Sequence, residues 1–304
     1  MNGPLPQLPG LGDAHVLERA RRLHLRARQA VAGLHHGGHA SIRTGHDVAF
    51  ADYKPYQPGD ALRDLDWRVL ARTDRLVVKR RRAEHELATT VVLDASADLG
   101  STTQKWDHAV GIAAALAWFL YEAGEPVGLV IGAGEGVDVR RLPPRQGSRH
   151  LSLVFRTLAA VRPAGRAELG QLFREVGRQL GARTLVAVVS DFMEAPTDWS
   201  DALAALVQNR VDLRAVHVTD PDELALAFPE PLRVRSPETG EERTLDPAAA
   251  RAAFQAEVGR WRGEVTNALQ ARRGLYVDAP VGVTLVDVLG RVAAGRSVVS
   301  SVRT

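Results

Sequence analysis

Two apolar stretches without alternation limit what this chain can fold into. Thr89, Thr90, Val91, Val92 and Leu93 are β-branched or aliphatic with no polar face between them, and Thr184 to Val189 repeat the pattern far downstream. A strand apolar on both sides must be covered on both sides, which is the condition of a parallel sheet sandwiched between helices. Each run ends in acid: Asp94 follows the first, and Ser190-Asp191 follows the second. In open α/β sheets ligands bind in the crevice beyond the strand carboxyl ends. The predicted fold is therefore α/β, a doubly wound, mostly parallel sheet that carries Asp94 and Asp191 to one crest. Val127 to Ile131 and Val211 to Val218 supply further buried strands, the latter with His217 inside it as a core histidine.

The loop after the first strand is rich in oxygen. Asp94, Ser96 and Asp98 are spaced by two, so in an extended turn alternate side chains converge on one point. Mg²⁺ takes about six oxygen ligands at roughly 2.0–2.1 Å and keeps several waters, so one or two carboxylates with hydroxyls suffice. A second reading stands beside this one. Asp, Ser and Thr are also the preferred N-cap residues, and a helix is expected from about Thr103.

Helices alternate with these strands. Trp106 to Ala123 has apolar positions nearly all round, as befits a helix packed on a sheet, and Gly124 ends it. Gln146 to Ala160, Glu168 to Leu180, Pro247 to Arg273 and Val283 to Ala294 read as further helices, with Leu275 to Val277 a last strand. Gly132 to Gly136 precedes the extended-looking Val137-Asp138-Val139-Arg140, which predicts a hairpin turn and not a phosphate-binding loop. A second hairpin is expected around Pro237-Glu238-Thr239-Gly240. Between Gly12 and Gly33 apolar and basic residues alternate at helical spacing, giving an amphipathic helix with a solvated basic face. His35, His36 and His39 follow among glycines, a poor cage for a metal. The tail from Gly295 is expected to be mobile.

Composition removes several functions. With no cysteine there are no disulfides, thiolate metal sites or thiol nucleophiles, and the default compartment is the cytoplasm. The apolar helical stretch Ala109 to Leu120 is too short for a bilayer, and the Pro- and Gly-rich start has no basic signal region. The net charge is only +3 and all but three of the 39 basic residues are Arg, so the high isoelectric point reflects arginine usage and not a nucleic-acid footprint. The lysines, Lys54, Lys79 and Lys105, each fall in or beside a stretch singled out here. A compact ammonium is not interchangeable with a planar guanidinium.

Ser41 to Glu86 is of different composition, polar, charged and aromatic. Asp60, Arg63, Asp64, Asp66, Arg68, Arg72, Asp74 and Arg75 surround Trp67 in sequence, which predicts an ion-pair network fixing the segment's shape. In order it carries Pro58-Gly59-Asp60, Asp66-Trp67, Ala71-Arg72-Thr73 and Val78-Lys79, followed by the strand ending in Asp94-x-Ser96. With these motifs the chain, from about Gly37 to at least Glu241, resembles the domain of unknown function 58 family. Ala61 stands where the family has a second Asp.

The resemblance implies a von Willebrand factor A-like domain with a metal-ion-dependent adhesion site. Residue by residue that site maps onto Asp94, Ser96 and Asp191, with Asp98 in the place of the second serine, and implies Mg²⁺, with Ca²⁺ or Mn²⁺ as alternatives. Asp60, Arg63, Asp66, Trp67, Arg72 and Lys79 are the signature residues, structural or partner-binding. The organisation expected is an N-terminal helix and signature segment (1–86) packed on a von Willebrand A-like domain (87–294), then the tail. Asp220-Pro221-Asp222-Glu223 is similar to the family's Asp-Pro-x-Glu. The family's association with MoxR-type AAA ATPases implies such a partner, with client proteins beyond it.

The function expected is metal-assisted protein binding without catalysis. A haloacid-dehalogenase-like phosphatase would need Asp, not Ser96, as its general acid, and neither a nucleophile elbow nor a base accompanies Ser96. A metal-dependent phosphoryl or hydrolytic enzyme and a basic-surface nucleic-acid binder are the alternatives.

Overall fold

The computed structural model describes residues 13–36, 52–55, 77–80, 88–132, 139–166, 168–178, 184–208, 211–225, 232–235 and 242–294. The chain divides into two compact units, Ser41–Glu86 and the remainder. In the smaller, β1 (Asp52–Pro55) pairs antiparallel with β2 (Val77–Arg80), with Tyr53 opposite Lys79. Asp60, Arg63, Asp66, Trp67 and Arg72, and the side chain of Lys79, lie outside the described residues, as does the tail.

In the larger unit the two uninterrupted apolar runs and the two further strands read as buried become neighbours. The sheet order is β10 (Leu275–Pro280), β7 (Val211–Thr219), β6 (Thr184–Ser190), β3 (Ala88–Asp94), β4 (Val127–Gly132), β5 (Arg140–Arg145). All pairings are parallel except β4 with β5. The predicted hairpin after β4 accounts for that antiparallel edge. Pro143 and Pro144 lie on β5, where an edge position spares them the ladder hydrogen bonds they cannot donate. A second hairpin pairs β8 (Leu232–Arg235) with β9 (Glu242–Leu245), as the turn signal at 237–240 led one to expect.

Successive strand residues face opposite sides, and both sides are dry here: Val91, Val92 and Leu93 are wholly buried. Val92, Val130, Val186 and Val188 meet Leu169, Leu172 and Phe173 of α4 (Leu169–Gly177) and Trp199, Leu203 and Leu206 of α5 (Pro196–Val207) in one cluster. Leu269 of α7 (Pro247–Gln270) closes it. The other helices form a second set, in which α1 (Ala14–His36) packs on α2 (Thr103–Glu122), α3 (Ser148–Ala160) and α8 (Leu285–Ala294). This is the doubly wound, mostly parallel α/β arrangement expected.

The differences from expectation are local. Helix α1 does not stop at Gly33 but runs to His36, because Gly33 is an interior contact: a Cβ there would lie 3.0 Å from a methyl of Val286 on α8. Its buried stripe is Ala20, Leu23, Ala27, Ala30, Val31 and Leu34, and its basic residues lie outward. Helix α4 ends at Gly177, with 179–183 outside the described residues. Helix α5 was not anticipated. Its signals are Pro196 in the first turn and Trp199, Ala202, Leu203 and Leu206 at helical spacing, a pattern hidden by the acidic and hydroxyl residues around it. Among the described residues no helix is long and apolar enough to cross a membrane.

Candidate functional site

Three strand ends, β3, β6 and β7, stand side by side at one edge of the sheet because β6 pairs in parallel with both of the others. Register sets what each delivers there. Leu93 is level with Val189, and Ser190 with His217, so Asp94, Ser190 and Asp191 emerge within about one residue of the same height, and Asp220 follows at the end of β7, three residues past His217. All four are buried.

Asp94 is held from two sides. Its Oδ1 accepts from the Ser96 amide at 2.9 Å, an Asx-turn that starts the loop, and its Oδ2 accepts from Ser190 Oγ at 2.7 Å. The Ser190 hydroxyl in turn accepts from the Phe192 amide at 2.9 Å. Ser96 Oγ faces the Leu99 amide at 3.4 Å. Burial, and after it the neighbouring Asp191 charge, push the Asp94 carboxyl up to about 7, against the opposing hydrogen bonds from Ser190 and Ser96. Asp191 is likewise raised by burial, opposed chiefly by Lys105.

Lys105 is the residue sequence reasoning did not place. It sits in the first turn of α2, where Thr102 caps the helix by accepting from the Lys105 amide at 3.1 Å. From there its side chain folds back under the loop, 4% exposed, and its Nζ stands 3.0 Å from Asp191 Oδ2. The same ammonium donates to Glu223 Oε2 at 2.9 Å and to the main-chain oxygen of Asp98 at 3.1 Å. Burial opposes the charge, but Asp191 and Glu223 together outweigh it, so the ammonium is held above its ordinary pKa. Ser101 also hydrogen-bonds to Glu223, and Thr102 Oγ1 lies 3.4 Å from Asp220 Oδ2. The Asp-Pro-Asp-Glu segment after β7, which opens the short helix α6 (Pro221–Ala225), is thus drawn into the site. Its short spacing after a buried strand, and the scarcity of lysine, were the signals available for it.

The structure therefore brings Asp94, Ser96 and Asp191 to one crest, while Asp98 reaches it through its backbone carbonyl. A divalent ion would need free oxygens converging at short range. Both Asp94 oxygens already accept hydrogen bonds, and Asp191 Oδ2 faces an ammonium. Among the described residues no three carboxylates or imidazoles come together to hold a metal ion. In this arrangement the donor set does not fit a divalent ion; it fits an ammonium.

Just beyond Asp191 the backbone makes an abrupt turn. Phe192, wholly buried, adopts φ 50, a conformation that costs a bulky residue about 1–3 kcal/mol and persists only where the surroundings impose it. The indole of Trp261 fixes its carbonyl at 3.1 Å. The consequence is that Met193 projects outward, 57% exposed, beside the buried charges. His217 lies behind, its Nδ1 2.6 Å from the Tyr276 hydroxyl and its pKa lowered to about 3 by burial first and then by Arg262.

The family model described as "Protein of unknown function DUF58" matches residues 52–264. Uncharacterized protein Rv1480 of Mycobacterium tuberculosis (strain H37Rv) and uncharacterized protein Mb1516 of Mycobacterium bovis are each 32% identical over 264 residues, 82% of either chain. Similar solved structures include BatB from Bacteroides thetaiotaomicron (12% identity, 68% of this chain and 97% of that one, TM-score 0.41). The SpRpn10 VWA domain is another (12% identity, 71% and 99%, TM-score 0.40). Likenesses this distant say nothing about function. The match across most of the chain, together with relatives of similar length, makes this protein a member of the DUF58 family.

Proposed function

We propose that this chain is a non-enzymatic protein-binding module whose docking face is the crest formed by the ends of β3, β6 and β7. The observation that carries the reading is Met193, an exposed apolar side chain held out by a strained, buried turn directly beside a buried charge cluster. An apolar anchor rimmed by polar groups is the composition of protein interfaces. The partner proposed is a MoxR-type AAA ATPase, with client proteins beyond it, as the sequence resemblance implies. The cytoplasm is the proposed compartment.

Two features support a role without catalysis. His217, the imidazole level with Ser190, is turned to Tyr276, and at about 3 it is too weak a base near neutral pH. Asp94, at about 7, has the pKa of a general acid–base and is the observation favouring an enzyme. Its oxygens are both engaged and it is buried, so no substrate proton reaches it. Purified protein should give no turnover of nucleotides, phosphate esters or single-stranded nucleic acid; turnover abolished by Asp94→Asn would reverse the assignment.

The docking face is tested by surface plasmon resonance against a purified MoxR-type ATPase from the same organism. Met193→Asp should abolish binding while leaving the circular dichroism spectrum unchanged. Undiminished binding by the variant rules out the crest, and no binding by the unsubstituted chain rules out the ATPase.

A further inference from the structure

The sequence resemblance reserves the space beside Asp94 and Asp191 for a divalent ion, but a side chain of the protein already occupies the cation's role there. Lys105 Nζ is within 3.1 Å of three oxygens from three separate segments: Asp98 O in the loop after β3, Asp191 Oδ2 in the loop after β6 and Glu223 Oε2 in the short helix after β7. We propose that Lys105 is the resident counter-ion of this crest, an ammonium that takes the place of the divalent cation and makes the site independent of metal.

The chemistry favours this ion. An ammonium has three donors and no acceptor, and here two of its hydrogen bonds and one close ion pair exhaust what it can offer. Contacts of 2.9 to 3.1 Å suit N–H···O geometry, whereas Mg²⁺ demands oxygens near 2.0–2.1 Å in a near-octahedral set. Charge points the same way. Asp191 is almost fully enclosed and would be costly to ionise alone, and Lys105, equally enclosed, would be costly without it. Glu223 is 37% exposed and completes the balance from the solvent side. Because Lys105 is anchored at the capped first turn of α2, its ammonium is delivered to one place. Mg²⁺ could enter only by displacing it, and would then leave a lysine buried with no anion.

The inference needs no partner protein, so its test is separate from that of the docking face. The full chain, Lys105→Met and the milder Lys105→Gln are compared by thermal unfolding in EDTA and in millimolar MgCl₂, with calorimetric titration of each by MgCl₂ and MnCl₂. Expected is an unsubstituted protein that shows no binding heat and the same Tm in both buffers. Both variants should melt lower in EDTA, recover part of the loss in Mg²⁺, and now bind the ion. Metal binding by the unsubstituted protein at millimolar concentration overturns the proposal. So does a variant as stable as the parent in EDTA, or one whose loss Mg²⁺ does not relieve, since Lys105 would then be an ordinary structural lysine. If Lys105→Met is recovered folded only in the presence of Mg²⁺, that is the expected rescue in its strongest form. If neither variant folds in either buffer, interchange of ammonium and metal is refuted.

Discussion

Lowering the pH from 6.5 to 4 should destabilise this protein through His217 in a way that a single substitution isolates. His217 is wholly buried between Phe192, Trp261 and Tyr276, and burial, Arg262 and Lys105 all oppose its protonation, with only a bond to the Asp191 backbone favouring it. Its pKa falls from the usual 6.5 to about 3. Above pH 6.5 the imidazole is neutral in both folded and unfolded chains, and its contribution is complete. Below 6.5 the unfolded chain takes up a proton that the folded chain refuses until about pH 3, so stability is lost as pH falls through that window. One proton is worth about 1.4 kcal/mol per pH unit, so the loss between pH 6.5 and 4 is about 3 kcal/mol. Asp94 works in the opposite sense: raised to about 7, it takes up its proton in the folded chain first and offsets part of the loss. Absolute stability is therefore an ambiguous readout. The difference between the parent and His217→Gln is not, because Asp94 is common to both. Urea denaturation at intervals from pH 4 to 8 should show the variant less stable at pH 8, with the two curves converging by about 3 kcal/mol on the way to pH 4. Parallel curves would mean that His217 takes up its proton over the same pH range in the folded and unfolded chains, which would refute the burial argument.

Other perturbations test the packing. Trp199→Ala, at a wholly buried position whose indole meets Phe173 and Phe192, should cost about 3–5 kcal/mol in denaturant unfolding. Gly170→Ala would put a Cβ 2.8 Å from the main-chain oxygen of Asp198 on α5, so the two helices must separate at a cost of about 1–3 kcal/mol, read as a lower Tm. Arg262→Met leaves Asp278, 1% exposed, without the guanidinium that hydrogen-bonds it at 2.7 Å. The expected loss is about 3–5 kcal/mol, and the double variant with Asp278→Asn should recover much of it.

The strands and their layer were written in local sequence, because an apolar run with no polar alternation has only one way to be buried. The same holds for the hairpin after β4, for the capped start of α2 and for the delivery of Asp94 and Asp191 to one edge, which follows once two such runs are parallel. The family was legible for a related reason, since its motifs are short, ordered and close together. Helix α5 was less so, because its helical spacing is diluted by Thr197, Asp198, Ser200 and Asp201. The extension of α1 past Gly33 could not be read at all: the glycine is explained by Val286, more than two hundred positions away. The electrostatics of the crest belong wholly to tertiary structure. Lys105 was conspicuous as a rare lysine and Glu223 as part of an acidic turn, yet no local rule joins residues 118 apart. Only the register of β3, β6 and β7 sets an ammonium against Asp191, and with it decides which cation the two carboxylates meet.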